Sequence, residues 1–442
     1  MRAAVAYAAV LGAFSSGLAV AATGADSSRG AQPETVVVDA AVRRQRIDGF
    51  GTTERVWSDP HLSKSPVTDV PPRAQRAILT ALYKRLGLTR VRPFLDQGIE
   101  FREGGPFNFA GKLGDAHIAF VKQAIPFGLR TVFPAPVYFE DSVNENNVGA
   151  YVDFAMGVLT HWRSRGYTPR LFSPINEQQI SHTLSDEWMH KMVLQMGARM
   201  SAAGLPTKLV IPDDENPNDA YRRALAVLAD PDARKYVAAI AFHIYKGSAS
   251  DWPRLRALAS NYRLPLWMTE YWSPDYTSWP GVLGWARNVN DLLTAGVNAV
   301  DYLWGFFGDW AAGSAGAYIS ISFDNGKYRS YTLNPLYYVM GQYSRFVRPG
   351  DVRIAAAAPT GVPTTAFLGR NRIVIVSINH GGSPVLVRYR VRGTGVRGRA
   401  QVVRSSAAER WRVLAPARLS ASGFSARLAP QSITTFLLRG KR

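Results

Sequence analysis

From Arg46 onward the chain alternates short runs of β-branched and aliphatic residues with longer segments of helical spacing, and this alternation restricts the fold more than any other property. Strand, helix, strand in succession gives parallel pairing with helices packed over the sheet, because parallel neighbours need a crossover. Runs beginning near Ile47, Leu88, Arg130, Arg170, Lys208, Val237, Pro265 and Ala299 number eight, the count that closes a (β/α)8 barrel. Between them, Ile78, Leu82 and Leu86 recur every fourth residue and stop at Gly87, a natural helix C-terminal cap. Met189, Val193, Met196 and Met200 form another stripe, read as core packing rather than as a cofactor box.

The two ends of the chain differ from this middle. After the helix-like stretch Leu333 to Phe346, Pro349-Gly350 breaks the pattern, and short β-like runs follow at Arg372–Ile378, Val385–Val391, Ala400–Val403 and Ile433–Leu438, separated by Gly and Ser turns. They predict a β-sandwich, and the strand around Val36 is expected to join it. The predicted class is therefore α/β, a (β/α)8 TIM barrel over residues 47–344 with a C-terminal antiparallel β-sandwich over residues 345–442 that also takes a strand from residues 35–46. Residues 1–21 join Arg2 to an apolar run ending Ala19-Val20-Ala21, the pattern of a cleaved secretory signal peptide, followed by a flexible leader over residues 22–34. The run is short for a bilayer span, so the reading is a secreted or periplasmic protein with no transmembrane span after signal cleavage.

Composition removes several chemistries. The chain has no cysteine, which excludes disulfides, thiolate metal sites and a cysteine nucleophile. Its seven histidines are scattered without a His-Glu-x-x-His pair, so neither a metal nor another cofactor is expected. Asp213, Asp214 and Glu215 form the one acidic cluster, read as a strand-end turn or substrate contact in preference to a calcium site. Gly393-Thr-Gly-Val-Arg-Gly398 matches a dinucleotide fingerprint by letter but is followed by further β-like segments, and without a helix after it the match is rejected. Residues 345–442 hold 18 Lys/Arg against Asp351 and Glu409, and so contribute 16 of the chain's net +19. This basic module is read chiefly as solvated strand faces, with contact to an acidic polysaccharide or an envelope as the functional alternative. A nucleic-acid partner is not expected in a secreted chain.

The chemistry sits where two apolar runs end. In LFSPINEQQ, from Leu171 to Gln179, the apolar run stops at Asn176 and Glu177, and LPLWMTEYW, from Leu264, ends in Glu270 and aromatic residues. The two glutamates are 93 residues apart, three units of a barrel that spends roughly 31 residues on each. A carboxylic acid beside a carboxylate is what an acetal needs, since the leaving oxygen must be protonated while negative charge stabilises the oxocarbenium-like carbon.

The residues at the other strand ends complete a resemblance to glycoside hydrolase family 30, over about 400 residues. The matching pieces are Ile47-Asp-Gly-Phe-Gly51, Thr89-Arg-Val-Arg-Pro93, Leu209-Val-Ile-Pro-Asp-Asp214, Phe242-His-Ile-Tyr245 and Trp304. The resemblance implies Glu177 as general acid/base and Glu270 as nucleophile. Arg92 would hold Glu270 ionised, Tyr245 would donate to it, Asn176 would bind the neighbouring sugar hydroxyl, His243 would pack or touch substrate, and Trp304 would offer a sugar platform. It also implies a retaining β-glycosidase acting on a β-linked glycan. The residue chemistry leaves a non-catalytic carbohydrate-binding or envelope-associated protein on the same scaffold as the alternative. Two stretches depart from the family, Thr52-Thr53-Glu54 and Phe133-Pro-Ala-Pro-Val-Tyr138, and they are expected to lie in loops that shape the sugar subsites.

Overall fold

The computed structural model describes residues 33–59, 69–95, 107–109, 112–136, 143–178, 184–308, 316–394, 396, 398–421 and 423–440. The expected signal peptide and nearly all of the leader lie outside the described residues. Among these, no helix is long and apolar enough to cross a membrane.

Among the described residues β1 (Glu34–Arg46) comes first, and the chain then enters a parallel sheet of β2 (Gly49–Glu54), β3 (Arg90–Leu95), β4 (Thr131–Val132), β6 (Leu171–Phe172), β7 (Lys208–Asp214), β8 (Val237–His243), β9 (Leu266–Glu270) and β10 (Ala299–Tyr302). The short β5 (Ala135–Pro136) adds to β3. The spatial order β4-β3-β2-β10-β9-β8-β7-β6 bends the sheet round on itself. The backbone N–H of Ser173 donates to the carbonyl of Pro134 at 3.0 Å, which brings the segments after β6 and β4 together. Each of the eight expected runs lies within three residues of one of these strands. The methionine stripe sits on the helix Asp186–Ala202, with all four side chains buried.

Two arginines fill much of the barrel's interior. Arg90 on β3 is fully buried and holds Asp301 on β10 through paired hydrogen bonds, Nε to Oδ1 and Nη2 to Oδ2, both at 2.9 Å. Its guanidinium carbon lies 4.0 Å from the centre of the Trp267 ring. Small residues, Ala239, Ala241 and Ala299, line the same interior cluster. Gly51 belongs to this arrangement: a Cβ there would stand 2.3 Å from Asp301 Oδ1 and 2.5 Å from Arg90 Cβ. The glycine of the Asp-Gly-Phe-Gly stretch thus makes room for a buried ion pair.

The sandwich is built from β14 (Val352–Ala357), β15 (Thr364–Gly369), β16 (Arg372–Asn379), β17 (Val385–Arg392), β18 (Gly398–Ser406), β19 (Glu409–Leu419), β20 (Phe424–Leu428) and β21 (Ser432–Arg439). As expected, β1 joins it, lying antiparallel to β14 and parallel to β17. That parallel pair makes the sheet mixed. In β17, Arg388, Arg390 and Arg392 are exposed while Val387 and Tyr389 are buried, the alternation of a half-solvated strand. Gly393 directly follows β17 and Gly398 opens β18, so the dinucleotide match leads into a strand and not a helix. A further sheet of β11 (Phe306–Phe307), β12 (Ile319–Asp324) and β13 (Lys327–Leu333) was not legible beforehand.

Candidate active site

The site forms at the C-terminal ends of β3, β7, β8 and β9, with Asn176 and Glu177 supplied by the segment that follows β6. Arg92 stands on β3, and its neighbour Arg90, two residues earlier, faces the same interior. The Arg92 guanidinium is fully buried and reaches three elements. Its Nε donates to Asp213 Oδ2 at 2.9 Å, its Nη1 to Glu270 Oε2 at 2.8 Å, and its Nη2 to the side-chain oxygen of Asn176. Tyr245 donates its hydroxyl to the other oxygen of Glu270 at 3.1 Å. Arg92 and Tyr245 thus each contact one oxygen of Glu270.

Asp213, not singled out beforehand as a site residue, is the hub of the cluster. Besides Arg92 it accepts from Ser173 Oγ at 2.6 Å and from Thr269 Oγ1 at 2.5 Å, and it meets His243 Nε2 at 3.2 Å. The other ring nitrogen of His243, Nδ1, lies 2.6 Å from Glu177 Oε1. The backbone N–H of Glu177 donates to the carbonyl of Asp213 at 3.0 Å. Both residues have positive φ, 42° and 61° respectively, a conformation non-glycine residues adopt sparingly and that concentrates at functional sites. One sequence signal pointed here: Pro212 inside a buried strand cannot donate to the ladder, and it precedes Asp213 directly. The rest of the acidic trio disperses, Asp214 pairing with the buried Arg223 and Glu215 with Lys246.

Electrostatics follow from burial. Glu177, Glu270, Asp213, Arg92 and His243 are all nearly or fully buried, so three carboxyl groups face two basic groups. Burial would push the Asp213 carboxyl up, but Arg92 and the hydrogen bonds from His243 and Ser173 outweigh it and hold it far below the ordinary carboxylate value. Burial would likewise lower His243, yet Glu270, Glu177 and Asp213 together raise it to about 10. Burial pushes the Glu270 carboxyl up, Glu177 and Asp213 add to this, and His243 and Arg92 pull the other way.

The remaining expected residues divide. Asn176 is spoken for by Arg92 through its oxygen. Trp304 is half-buried, with its ring edge-on to Phe94 at 5.5 Å and the Arg55 guanidinium carbon 4.8 Å from its centre. Thr52, Thr53 and Glu54 correct the sequence reading: they are the last residues of β2 and are buried, so they belong to the strand and not to a subsite loop. Tyr138 and the segments 60–68, 96–106, 137–142, 179–183 and 309–315 lie outside the described residues. As for a cation, one oxygen each from Glu177 and Glu270 and a nitrogen of His243 lie within 4.8 Å of one another. Glu270 already faces Arg92 and Tyr245, and His243 already faces Glu177 and Asp213.

A barrel with one glutamate from the segment after β6 and one at the end of β9, joined to a sandwich that β1 enters, points to a class, the glycosyl hydrolases, and comparison with known proteins agrees. The glucuronoxylanase XynC of Bacillus subtilis is 26% identical over 305 residues, which cover 66% of this chain and 67% of that protein. An endo-1,6-β-D-glucanase of Aspergillus fumigatus is 27% identical over 256 residues, 55% of this chain and 45% of that one. The crystal structure of a glycoside hydrolase family 30 subfamily 8 xylanase from Clostridium acetobutylicum superposes with a TM-score of 0.74 at 23% identity, covering 92% of this chain and 100% of that one. No family model matches the chain. These relatives make the chain a glycosyl hydrolase, and its fold is that of the family 30 xylanase structure.

Proposed function

We propose that this protein is a secreted retaining β-glycosidase that cleaves a β-linked polysaccharide or oligosaccharide, of β-1,6-glucan, β-1,6-galactan or xylan type, by double displacement. One observation supports this most directly. One oxygen of Glu177 and one of Glu270 lie within 4.8 Å of each other, in keeping with the close pairing, roughly 5 Å between carboxyl groups, of retaining enzymes. The named activities of the relatives, glucuronoxylanase and endo-1,6-β-glucanase, bracket the substrate type.

In this reading Glu177 acts first as the acid. With the proton on Glu177, its O–H protonates the glycosidic oxygen as the bond to the anomeric carbon breaks. Glu270, held by Arg92 and Tyr245, attacks that carbon and forms a glycosyl ester. Glu177, now a carboxylate, then takes a proton from water, whose oxygen displaces Glu270 and restores the starting state with retained configuration. His243 and Asp213 keep the Glu177 carboxyl aligned through both steps.

The test is the Glu270→Ala variant on an activated aryl β-glycoside. Turnover should fall to near background and return with azide, giving the inverted glycosyl azide, while proton NMR of wild-type hydrolysis shows the β-anomer first. An active Glu270→Ala enzyme, or an α-anomer as first product, overturns the mechanism.

A further inference from the structure

A second polar cavity lies at the opposite end of the barrel from the glutamates. It has a volume of ≈ 630 Å³ and is lined by Arg43, Arg44, Gln45, Arg256, Arg353 and the carbonyl end of the helix Trp279–Ala295. An adjoining cavity of ≈ 450 Å³ shares Gln45 and Arg256 and adds Arg46 and Arg263. Asp48, Pro265 and Asn298 line that second space, and each immediately precedes β2, β9 or β10 or lies a residue before it. This fixes the cavities at the N-terminal face of the barrel, beside the sandwich.

The local structure concentrates the charge. Between Asp39 and Arg46 the β1–β14 ladder slips twice, so β1 bends as it passes from sandwich to barrel, and such bulges re-aim side chains. Arg43 and Arg44 come from this bend, Arg353 from β14, and Arg256 from the helix Trp252–Asn261. Arg256 packs its Cδ and Nε where a Cβ on Gly296 would stand, at 2.8 Å, so the glycine that caps the neighbouring helix also admits the arginine. Arg353 is only 8% exposed; its Nε donates to Gln45 Oε1 at 3.0 Å and its Nη2 to the Thr294 carbonyl at 3.3 Å. Gln45 in turn donates to the Leu293 and Val297 carbonyls.

The four arginines of the larger cavity have no carboxylate partner among the described residues. Burial and the nearby Arg44 and Arg256 depress Arg353 to about 10. The helix carbonyls supply about half a negative charge, far short of four cations. The one acid in the adjoining space, Asp48, accepts from the indole N–H of Trp267 at 2.8 Å. Arg43 and Arg44 are exposed, but Arg256 is half-buried and Arg353 buried; like charges gathered about a buried guanidinium without a counter-charge oppose folding, and an anion relieves them.

We propose that this cavity is a binding site for a compact ligand bearing two phosphoryl groups, a diphosphate or a pair of adjacent phosphate esters. Each phosphoryl group brings about −1.5 to −2 charges and three acceptor oxygens at neutral pH, so two of them balance four guanidiniums. Guanidinium forks match tetrahedral oxyanions through paired N–H donors. A uronic acid, with one charge per sugar ring, matches the charge less well. Because the site is at the other end of the barrel, its occupant leaves the glycan cleft open.

Inorganic pyrophosphate is the probe, with sulfate and glucuronate at matched ionic strength as controls, read by calorimetric titration and thermal unfolding of the whole chain. Saturable pyrophosphate binding that raises Tm, is stronger than either control, and weakens at least tenfold in Arg44→Gln/Arg256→Gln supports the site. Both substitutions spare Arg353 and its hydrogen bonds, so the fold is retained, and hydrolytic activity should match wild type. Absence of saturation, equal binding by the double variant, or sulfate or glucuronate binding as tightly as pyrophosphate overturns it. Sedimentation with phosphatidylcholine vesicles containing phosphatidic acid, with pyrophosphate as competitor, then separates a lipid headgroup source from a soluble one.

Discussion

His243 Nδ1 stands 2.6 Å from Glu177 Oε1, with the opposite ring nitrogen 3.2 Å from Asp213. An imidazole between two carboxyls is held in one orientation, and here it ties the proposed proton donor to the residue that also anchors Arg92. The acid, the nucleophile and their supports therefore form one connected network, in which removal of any member leaves a buried charge unpaired.

Asp213→Asn should be costly in both stability and rate. Arg92 keeps at most a neutral acceptor there and loses the Asp213 charge while remaining buried, and breaking such an ion pair costs about 3–5 kcal/mol. The displaced guanidinium also misplaces Glu270, so kcat should fall about 100-fold or more with a smaller change in KM. Urea unfolding and steady-state kinetics on one substrate check both. A variant of wild-type stability would show that Asp213 is not the hub.

The His243 network predicts a pH dependence of folding. Its folded-state value of about 10 lies above the ordinary value near 6.5, so the stabilisation is fully present below about pH 6.5 and is lost as pH rises through 10. The slope in that window approaches about 1.4 kcal/mol per pH unit. Urea unfolding at pH 6, 8 and 10 should show the decline, and His243→Gln should flatten it.

Glu54 has the opposite chemistry. It is 1% exposed, and neither carboxyl oxygen has a hydrogen-bond partner of normal geometry among the described residues. Burial pushes its carboxyl well above the ordinary value, with the Phe306 backbone only partly offsetting this. The folded state keeps the proton that the unfolded chain releases above about pH 4.5, so stability falls as pH rises from there. Glu54→Gln should therefore stabilise the protein by roughly 1–3 kcal/mol at pH 8 and by less at pH 4. Thermal unfolding at the two pH values measures the difference.

Glu177→Ala separates protonation from nucleophilic attack. On a glycoside with a poor leaving group the loss should be about 10²- to 10⁴-fold, the usual worth of general acid catalysis. On an aryl glycoside, which needs little protonation, glycosylation should be nearly intact. Equal losses on the two substrates would remove Glu177 from the acid role.

Much of the scaffold could be read from the chain because it is written in local periodicity. Eight apolar runs between helical stripes fix the barrel, and β-branched runs between turns fix the sandwich, since each element must bury one face in a core. The spacing of Glu177 and Glu270 was equally legible, because three barrel units bring two strand ends to one mouth. What only the tertiary structure decided was how charge is balanced inside. Asp213 sat in a run of three acids, marked only by the Pro212 before it, and became the hub because its φ of 61° places its carboxylate among donors from β3, β8, β9 and the segment after β6. Glu54 read as a loop residue and turned out buried, since the sequence does not say where β2 ends. The basic cavity joins residues more than 300 positions apart, Arg43 and Arg353. Periodicity reports which side of an element is apolar, whereas Coulomb interactions depend on distances between elements, and those distances exist only in the folded chain.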